Sequence, residues 1–420
     1  MSFTKLKANT FLRSVLLLAG GAAIAQGITV GVTPVLTRLF SPAEFGMLAA
    51  FTSALTILLA VSSLRYEFAL PQVRNIKQAR ALVFLCLGLL FFTSLLVFIF
   101  LVVTSLSGFA FWGEWGFIWL LPVGIMFAGA FQVANYWAVR EKAFRELAKA
   151  NVNRSLFQAT AQVGMGLAGI GGLALVLGYV LSQAVGALKI LLGATRNARL
   201  PTWRRLKVLA VRHKRFPCFS VPAGVLNVSA LHLTPFILIY LYGASSAGFF
   251  SLAQRAMGAP MAFLGMAIAN VYLSELPKIK ESEPERLMSF YLRSCRNLLA
   301  IGLPIVAMAT LILWWGVDLI FGAEWAEAAV FVVYLAPLFL GQFVVAPLSQ
   351  TLNVLERQDI QLGWDLLRLL LPNACLVVSA WWGERSIVAV GFYSAAMLIV
   401  YVINVWLTVF CLGRLGKLSC

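Results

Sequence analysis

Charge is what this sequence lacks: only 12% of its 420 residues are Asp, Glu, Lys or Arg, where soluble domains carry about a quarter. Hydrophobic residues make up 61% and mean hydropathy is +0.89. Too little polar surface exists to face water, so lipid must be the solvent for most of the chain. In hydrocarbon the backbone must bond within itself, which leaves helices or closed barrels. The apolar runs are 19 residues or longer without polar alternation, and that excludes a barrel.

Other absences narrow the chemistry. Two histidines and no His/Cys cluster at ligand spacing argue against a metal enzyme. No G-x-x-x-x-G-K-[ST] loop occurs; the tail Gly413-Arg-Leu-Gly416-Lys417 has the wrong spacing. The outward loops expected below are short, which argues against an embedded polymerase or glycosyltransferase. The chain is read as a non-enzyme that needs no cofactor. None of the six cysteines falls in an outward loop, so no disulfide is expected. Acid is scarce inside the membrane: Asp318, Asp365 and Glu67 alone lie within or against the spans, each near an end. A proton or sodium antiporter usually holds a carboxylate deep in the bilayer. An interior biased towards cations points instead to an anionic cargo.

What is present is a series of apolar segments. In the first half they run Phe11–Leu36, Phe45–Leu64, Ala81–Leu106, Phe117–Val139, Asn153–Gly171 and Leu173–Leu192. The second half has Pro217–Leu241, Ala247–Leu273, Leu298–Phe321, Ala328–Leu352, Leu362–Trp382 and Ile387–Leu412. The expected fold is an all-α integral membrane protein of about twelve transmembrane helices in two six-helix bundles. The division at Ile170-Gly171-Gly172 is the thinnest. Lys5, Lys7 and Ala23-Ile24-Ala25 suggest a signal peptide, but the apolar run continues to Leu36 and reads as an uncleaved first span.

Of the 33 lysines and arginines, 29 fall on one side of this scheme, two (Arg38, Arg385) on the other, and two (Arg255, Arg368) within spans. Such a bias places both termini in the cytoplasm. It also explains the net charge of +17 without nucleic acid. The expected domains are 1–194, a basic linker at 195–215, 216–413, and a tail at 414–420. Two loop motifs recur: Phe40-Ser-Pro-Ala-Glu-Phe-Gly46 with Tyr242-Gly-Ala-Ser-Ser-Ala-Gly248, and Phe111-Trp-Gly-Glu-Trp115 with Phe321-Gly-Ala-Glu-Trp325. Together they indicate a six-helix duplication about the membrane normal.

The polar groups inside the spans are the candidate site. Arg255 lies about 12 Å into its helix at 1.5 Å per residue. Facing lipid there costs roughly 2.5–3.5 kcal/mol, so a cavity or partner is required. It is either an anion-binding cation or a structural arginine capping carbonyls. Arg368 follows Asp365 by three residues, a spacing for a local ion pair, and its stem can snorkel. His232 could relay protons or serve packing. Gln254, Asn227, Gln132 and Asn135 are candidates for a polar path or for interhelical hydrogen bonds.

Leu36-Thr-Arg38-Leu-Phe40-Ser-Pro42-Ala-Glu44-Phe-Gly46 and Leu64-Arg65-Tyr66-Glu67-Phe-Ala-Leu-Pro71 resemble the start of bacterial polysaccharide flippases. These belong to the multidrug/oligosaccharidyl-lipid/polysaccharide (MOP) exporter superfamily. Phe216-Pro217-x-Phe219-Ser220, Gly248 to Gln254-Arg255, and Phe321-Gly-x-Glu324-Trp325 are similar to its second-half pattern. The resemblance implies two bundles in a V around a central cavity, in the bacterial cytoplasmic membrane. It implies a cargo of polyprenyl-diphosphate-linked oligosaccharide, carried between leaflets. Cavity arginines would meet the diphosphate, with Arg255 the best match; Arg368, Arg65 and Arg38 are further candidates, the last two with no role that transfers. Expected partners are that cargo, the lipid bilayer, and polysaccharide polymerase and assembly proteins. The competing readings are a twelve-helix small-solute or drug exporter, the small-solute class lacking here its G-x-x-x-D-R-x-G-R-type signature and the drug class its acidic intramembrane site, and a non-transporting assembly scaffold.

Overall fold

The computed structural model describes the backbone of residues 3–107, 116–196 and 200–418, and side chains from Gly20 to Gly413 apart from scattered positions between 259 and 284. Among the described residues all regular structure is helical. The helices are α1 (Phe3–Leu39), α2 (Pro42–Ser62), α3 (Ile76–Leu106), α4 (Leu121–Arg140), α5 (Phe144–Leu167), α6 (Gly172–Thr195), α7 (Trp203–Arg212) and α8 (Val221–His232). They continue as α9 (Thr234–Tyr242), α10 (Ala244–Ser282), α11 (Leu287–Phe321), α12 (Ala326–Val345), α13 (Thr351–Val354), α14 (Gln358–Trp381) and α15 (Ser386–Leu418).

Nine described helical segments are long and apolar enough to span a membrane, and a tenth is the pair Phe216–His232 and Thr234–Tyr242, bent by 45°. Pro235 explains the break, because it opens α9 where an amide donor is dispensable. The long helices α5 and α10 bring the number of span-length elements to the expected twelve. Between α5 and α6 the chain turns through Gly169 and Gly171, both with positive φ (73° and 72°), so the fifth and sixth segments are separate helices.

The chain packs as two compact units, residues 1–40 with 47–228, and 41–46 with 229–420. In the first, α1 packs on α5, α5 on α6, α6 on α4, and α4 on α3. In the second, α12 is central, touching α10, α11 and α15, while α14 packs on α15. The outer faces are apolar and exposed, as at Phe91, Phe92, Leu95 and Phe98 on α3 and Leu303, Leu311 and Ile312 on α11. Hydrocarbon is the solvent that accepts such surface. Exposed Trp315, Trp381 and Trp382 stand near the ends of α11 and α14, the depth at which amphipathic rings anchor a span.

Candidate functional site

In the second unit the motif residues converge on Arg255. Ser41 caps α2: Glu44 accepts from the Ser41 amide at 2.8 Å and from its hydroxyl at 3.1 Å, and Pro42 follows at the first helical position. The start of the helix is therefore locally determined. It presents Phe45, fully buried, edge-on to the buried Trp325 at 4.9 Å. Phe249 of α10 also meets Trp325, at 6.0 Å. Over the Phe45 ring lies the Arg255 guanidinium, 5.5 Å from the centroid. Phe45, Trp325 and Arg255 come from three of the sequence motifs and form one stack. Trp115, the expected counterpart of Trp325, lies outside the described residues. Gln254, beside Arg255 on α10, is half-buried.

Arg368 and Asp365 form the pair their spacing permits, with Nη2 to Oδ1 at 2.9 Å. Both are buried, and the guanidinium lies 4.6 Å from the Trp364 ring. Arg368 is thus held inward rather than snorkelling, and its Nε has no hydrogen-bond partner.

In the first unit the polar candidates centre on the turn after α2, where Leu64 and Arg65 hold positive φ (50° and 60°). That region disfavours side-chain-bearing residues, and the surrounding bonds hold the turn there. Arg65 Nε donates to Ala60 O at 3.2 Å, its guanidinium lies over Phe68 at 5.0 Å, and Gly224 packs against it. These contacts tie Arg65 to the turn. Glu67 is completely buried; it accepts from the Ser63 hydroxyl and from Gln132 Nε2 at 2.9 Å. Burial pushes its carboxyl above the usual range despite those donors and the nearby Arg65. Asn135, one turn on from Gln132, donates to Phe131 O of its own helix at 2.8 Å. Asn227 and Arg38 are exposed, the latter in the last turn of α1 where a cation suits the helix dipole.

Two residues stand otherwise than the sequence suggests. The sequence puts Glu67 near the end of a span, yet it is buried and accepts a bond from a residue 65 positions away. Arg154 is among the 29 cations assigned to one side, at the very start of the expected segment Asn153–Gly171, but α5 begins at Phe144, about 15 Å earlier along the axis. It lies 5.3 Å from the Phe131 ring, with a buried Nε that has no hydrogen-bond partner. The charged neighbours Arg145, Glu146 and Lys149 hid that helix start. Among the described residues no His, Cys, Asp or Glu group could hold a metal ion. Two apolar grooves, about 430 and 480 Å³, run beside α11; their walls include Tyr272, Phe290 and Leu298 in one and Leu303, Trp314 and Pro337 in the other. None of the candidate arginines lines either groove.

Comparison with known proteins agrees with this architecture. The model of a family described as "Polysaccharide biosynthesis protein" matches residues 35–330. No curated protein matches the chain. Among solved structures, an inward-facing multidrug resistance MATE family transporter of the MOP superfamily aligns at 15% identity and TM-score 0.60, covering 96% of each chain. A MATE protein in complex with MaL6 aligns at 14% identity and TM-score 0.57, again over 96% of each. A Vibrio cholerae MATE transporter aligns at 11% and TM-score 0.53, over 99% of this chain and 98% of its own. The likeness is one of fold. With the motif residues gathered as described, the chain belongs to the polysaccharide biosynthesis protein family and has the all-α membrane fold of the MOP superfamily.

Proposed function

We propose that this protein moves a polyprenyl-diphosphate-linked oligosaccharide from the inner to the outer leaflet of the bacterial cytoplasmic membrane, for surface polysaccharide synthesis. The observation that carries the reading is the convergence of the family motifs on Arg255, a cation held half-buried in the membrane by an aromatic stack. A diphosphate loses its hydration on entering the protein, and a guanidinium fork offsets that loss by charge and paired donors. A membrane potential that is negative inside also favours outward movement of an anion, by roughly 2.3 kcal/mol per charge per 100 mV. Polymerase and assembly proteins are the partners that would use the product.

The test is leaflet-to-leaflet transfer of a fluorescent prenyl-diphosphate oligosaccharide in proteoliposomes. Arg255→Ala is expected to abolish transfer at normal protein yield, and Arg255→Lys to retain part of it. Normal transfer by the alanine variant would defeat the anion-site reading.

A second reading is a small-solute or drug exporter, since such proteins commonly rely on a buried acid and Glu67 is completely buried. It lies in the turn between α2 and α3 rather than within a span. Loss of drug efflux in Glu67→Gln with oligosaccharide transfer absent throughout would select that reading.

A further inference from the structure

The segment between α6 and α8 carries a surface distinct from the candidate arginines of the spans. From Thr195 to Arg215 there is no acidic residue. Within it α7 is a ten-residue amphipathic helix. Its inner side is fixed to the first unit: Leu209 is buried, and Ala210 O accepts from the Tyr66 hydroxyl at 3.1 Å. Below it, Phe216 meets Phe68 at 6.5 Å. Those contacts set the depth of α7, because Tyr66 and Phe68 lie in the turn that joins the end of α2 to the start of α3. The helix therefore sits at the level where two spans leave the bilayer.

Its outer side is different in kind. Trp203, Val208 and Val211 are 79%, 61% and 59% exposed, and around them Arg204, Arg205, Lys207 and Arg212 project on the remaining positions. Near 100° per residue, Trp203, Lys207, Val211, Arg204 and Val208 follow one another around the exposed arc. Apolar and cationic side chains are interleaved there. Water alone does not suit that mixture. A headgroup layer does, since rings and branched chains enter the acyl boundary while long cations stay among phosphates. The charge is of one sign, which selects a surface of the opposite sign.

We infer that α7 is an interfacial helix that binds the headgroups of anionic phospholipids at the membrane surface where α2 ends and α3 begins. The occupant is the bilayer in which the protein already resides, so no encounter with a soluble partner is needed. Each cation near such a surface contributes attraction that salt weakens. The inference is independent of the cargo.

The test uses the full chain with the exposed Cys218 replaced by serine and Val208→Cys added, labelled with an environment-sensitive fluorophore before reconstitution. The same chain without Val208→Cys supplies the background from other cysteines. Vesicles are phosphatidylcholine alone or an equimolar mixture with phosphatidylglycerol. The label is expected to emit further to the blue, and to resist an aqueous quencher, in the mixed vesicles. Arg204→Gln and Lys207→Gln, at exposed positions that leave packing intact, should each weaken that preference by about fivefold, the effect of one cation near an anionic surface. Arg204→Lys should retain it. Equal emission in both lipids would overturn the headgroup preference. A label that stays aqueous in both would overturn the interfacial placement. A shift that appears only on adding an acidic polypeptide would assign the face to a protein instead.

Discussion

Gly46 and Gly248 each lie against the backbone at the start of the other's helix. A Cβ on Gly46 would stand 1.9 Å from Ala244 O, and one on Gly248 1.8 Å from Pro42 O. The positions that the repeated loop motif made equivalent in sequence thus meet in space, and each is glycine because a carbonyl at the start of the other's helix leaves no room. In an open helix Gly→Ala would gain about 1 kcal/mol. Here Gly46→Ala or Gly248→Ala is expected to cost about 1–3 kcal/mol as overpacking, read as an earlier thermal loss of monodisperse protein in detergent. Because both changes disturb one contact, the double variant should cost less than the sum of the two. Stabilisation by either alanine would show that the contact is loose.

Glu67 makes stability depend on pH in a definite direction. Burial raises its carboxyl in the folded protein, so the folded state binds the proton more tightly than the unfolded chain does. The contribution is complete below the unfolded carboxyl value and is lost as pH rises through the raised folded one. Thermal stability should therefore fall across that window in the native chain and stay flatter in Glu67→Gln. Glu67→Ala should destabilise at every pH, by about 1–3 kcal/mol, because Ser63 and Gln132 lose a buried acceptor. Identical pH profiles for the native and glutamine chains would contradict the burial argument.

These two sites differ in how far they were legible in the sequence. Helix number and the separation of α5 from α6 follow from long apolar runs and a glycine turn, which are local signals. The Asp365–Arg368 pair is also local, three residues along one helix. The stack of Arg255, Phe45 and Trp325 was legible only as three separate motifs, since nothing in their spacing says that they touch. Glu67 shows the limit most clearly. An acid in a short loop between spans normally faces water, and here the packing that buries it brings a donor from α4, Gln132, as well as the local Ser63. Burial imposed by a distant element leaves no periodic trace in the chain.

The Asp365–Arg368 pair yields a prediction of opposite form for single and double changes. Both side chains are buried, so removing one strands the other's charge, at a cost of about 3–5 kcal/mol. Asp365→Ala and Arg368→Ala should each lower yield and thermal stability sharply. Asp365→Leu combined with Arg368→Met, which removes both charges and keeps bulk, should recover most of that loss. If Arg368 also meets cargo, the recovered double variant will be stable yet deficient in oligosaccharide transfer. Near-native stability in either single alanine variant would refute the pairing as a structural element.

Orientation rests on the charge asymmetry and gives the last prediction. Ser107 follows the last residue of α3, Ser245 is the second residue of α10, and Thr202 precedes α7; all three are exposed. The basic residues gather on the side of Thr202, together with Arg74, Lys77 and Arg80 at the start of α3. Positive loops stay in the cytoplasm because moving them outward works against the membrane potential and the insertion machinery. Cysteines placed at Ser107 and Ser245 in intact cells should react with an impermeant reagent, and one at Thr202 should react only after the membrane is opened. The structure adds a constraint that sequence alone does not. Tyr66 binds Ala210 of α7, so Thr202 and the turn between α2 and α3 must lie on the same side, and a cysteine at the exposed Gln72 must behave as Thr202 does. Labelling at Gln72 and Thr202 from outside, with Ser107 and Ser245 silent, would invert the topology.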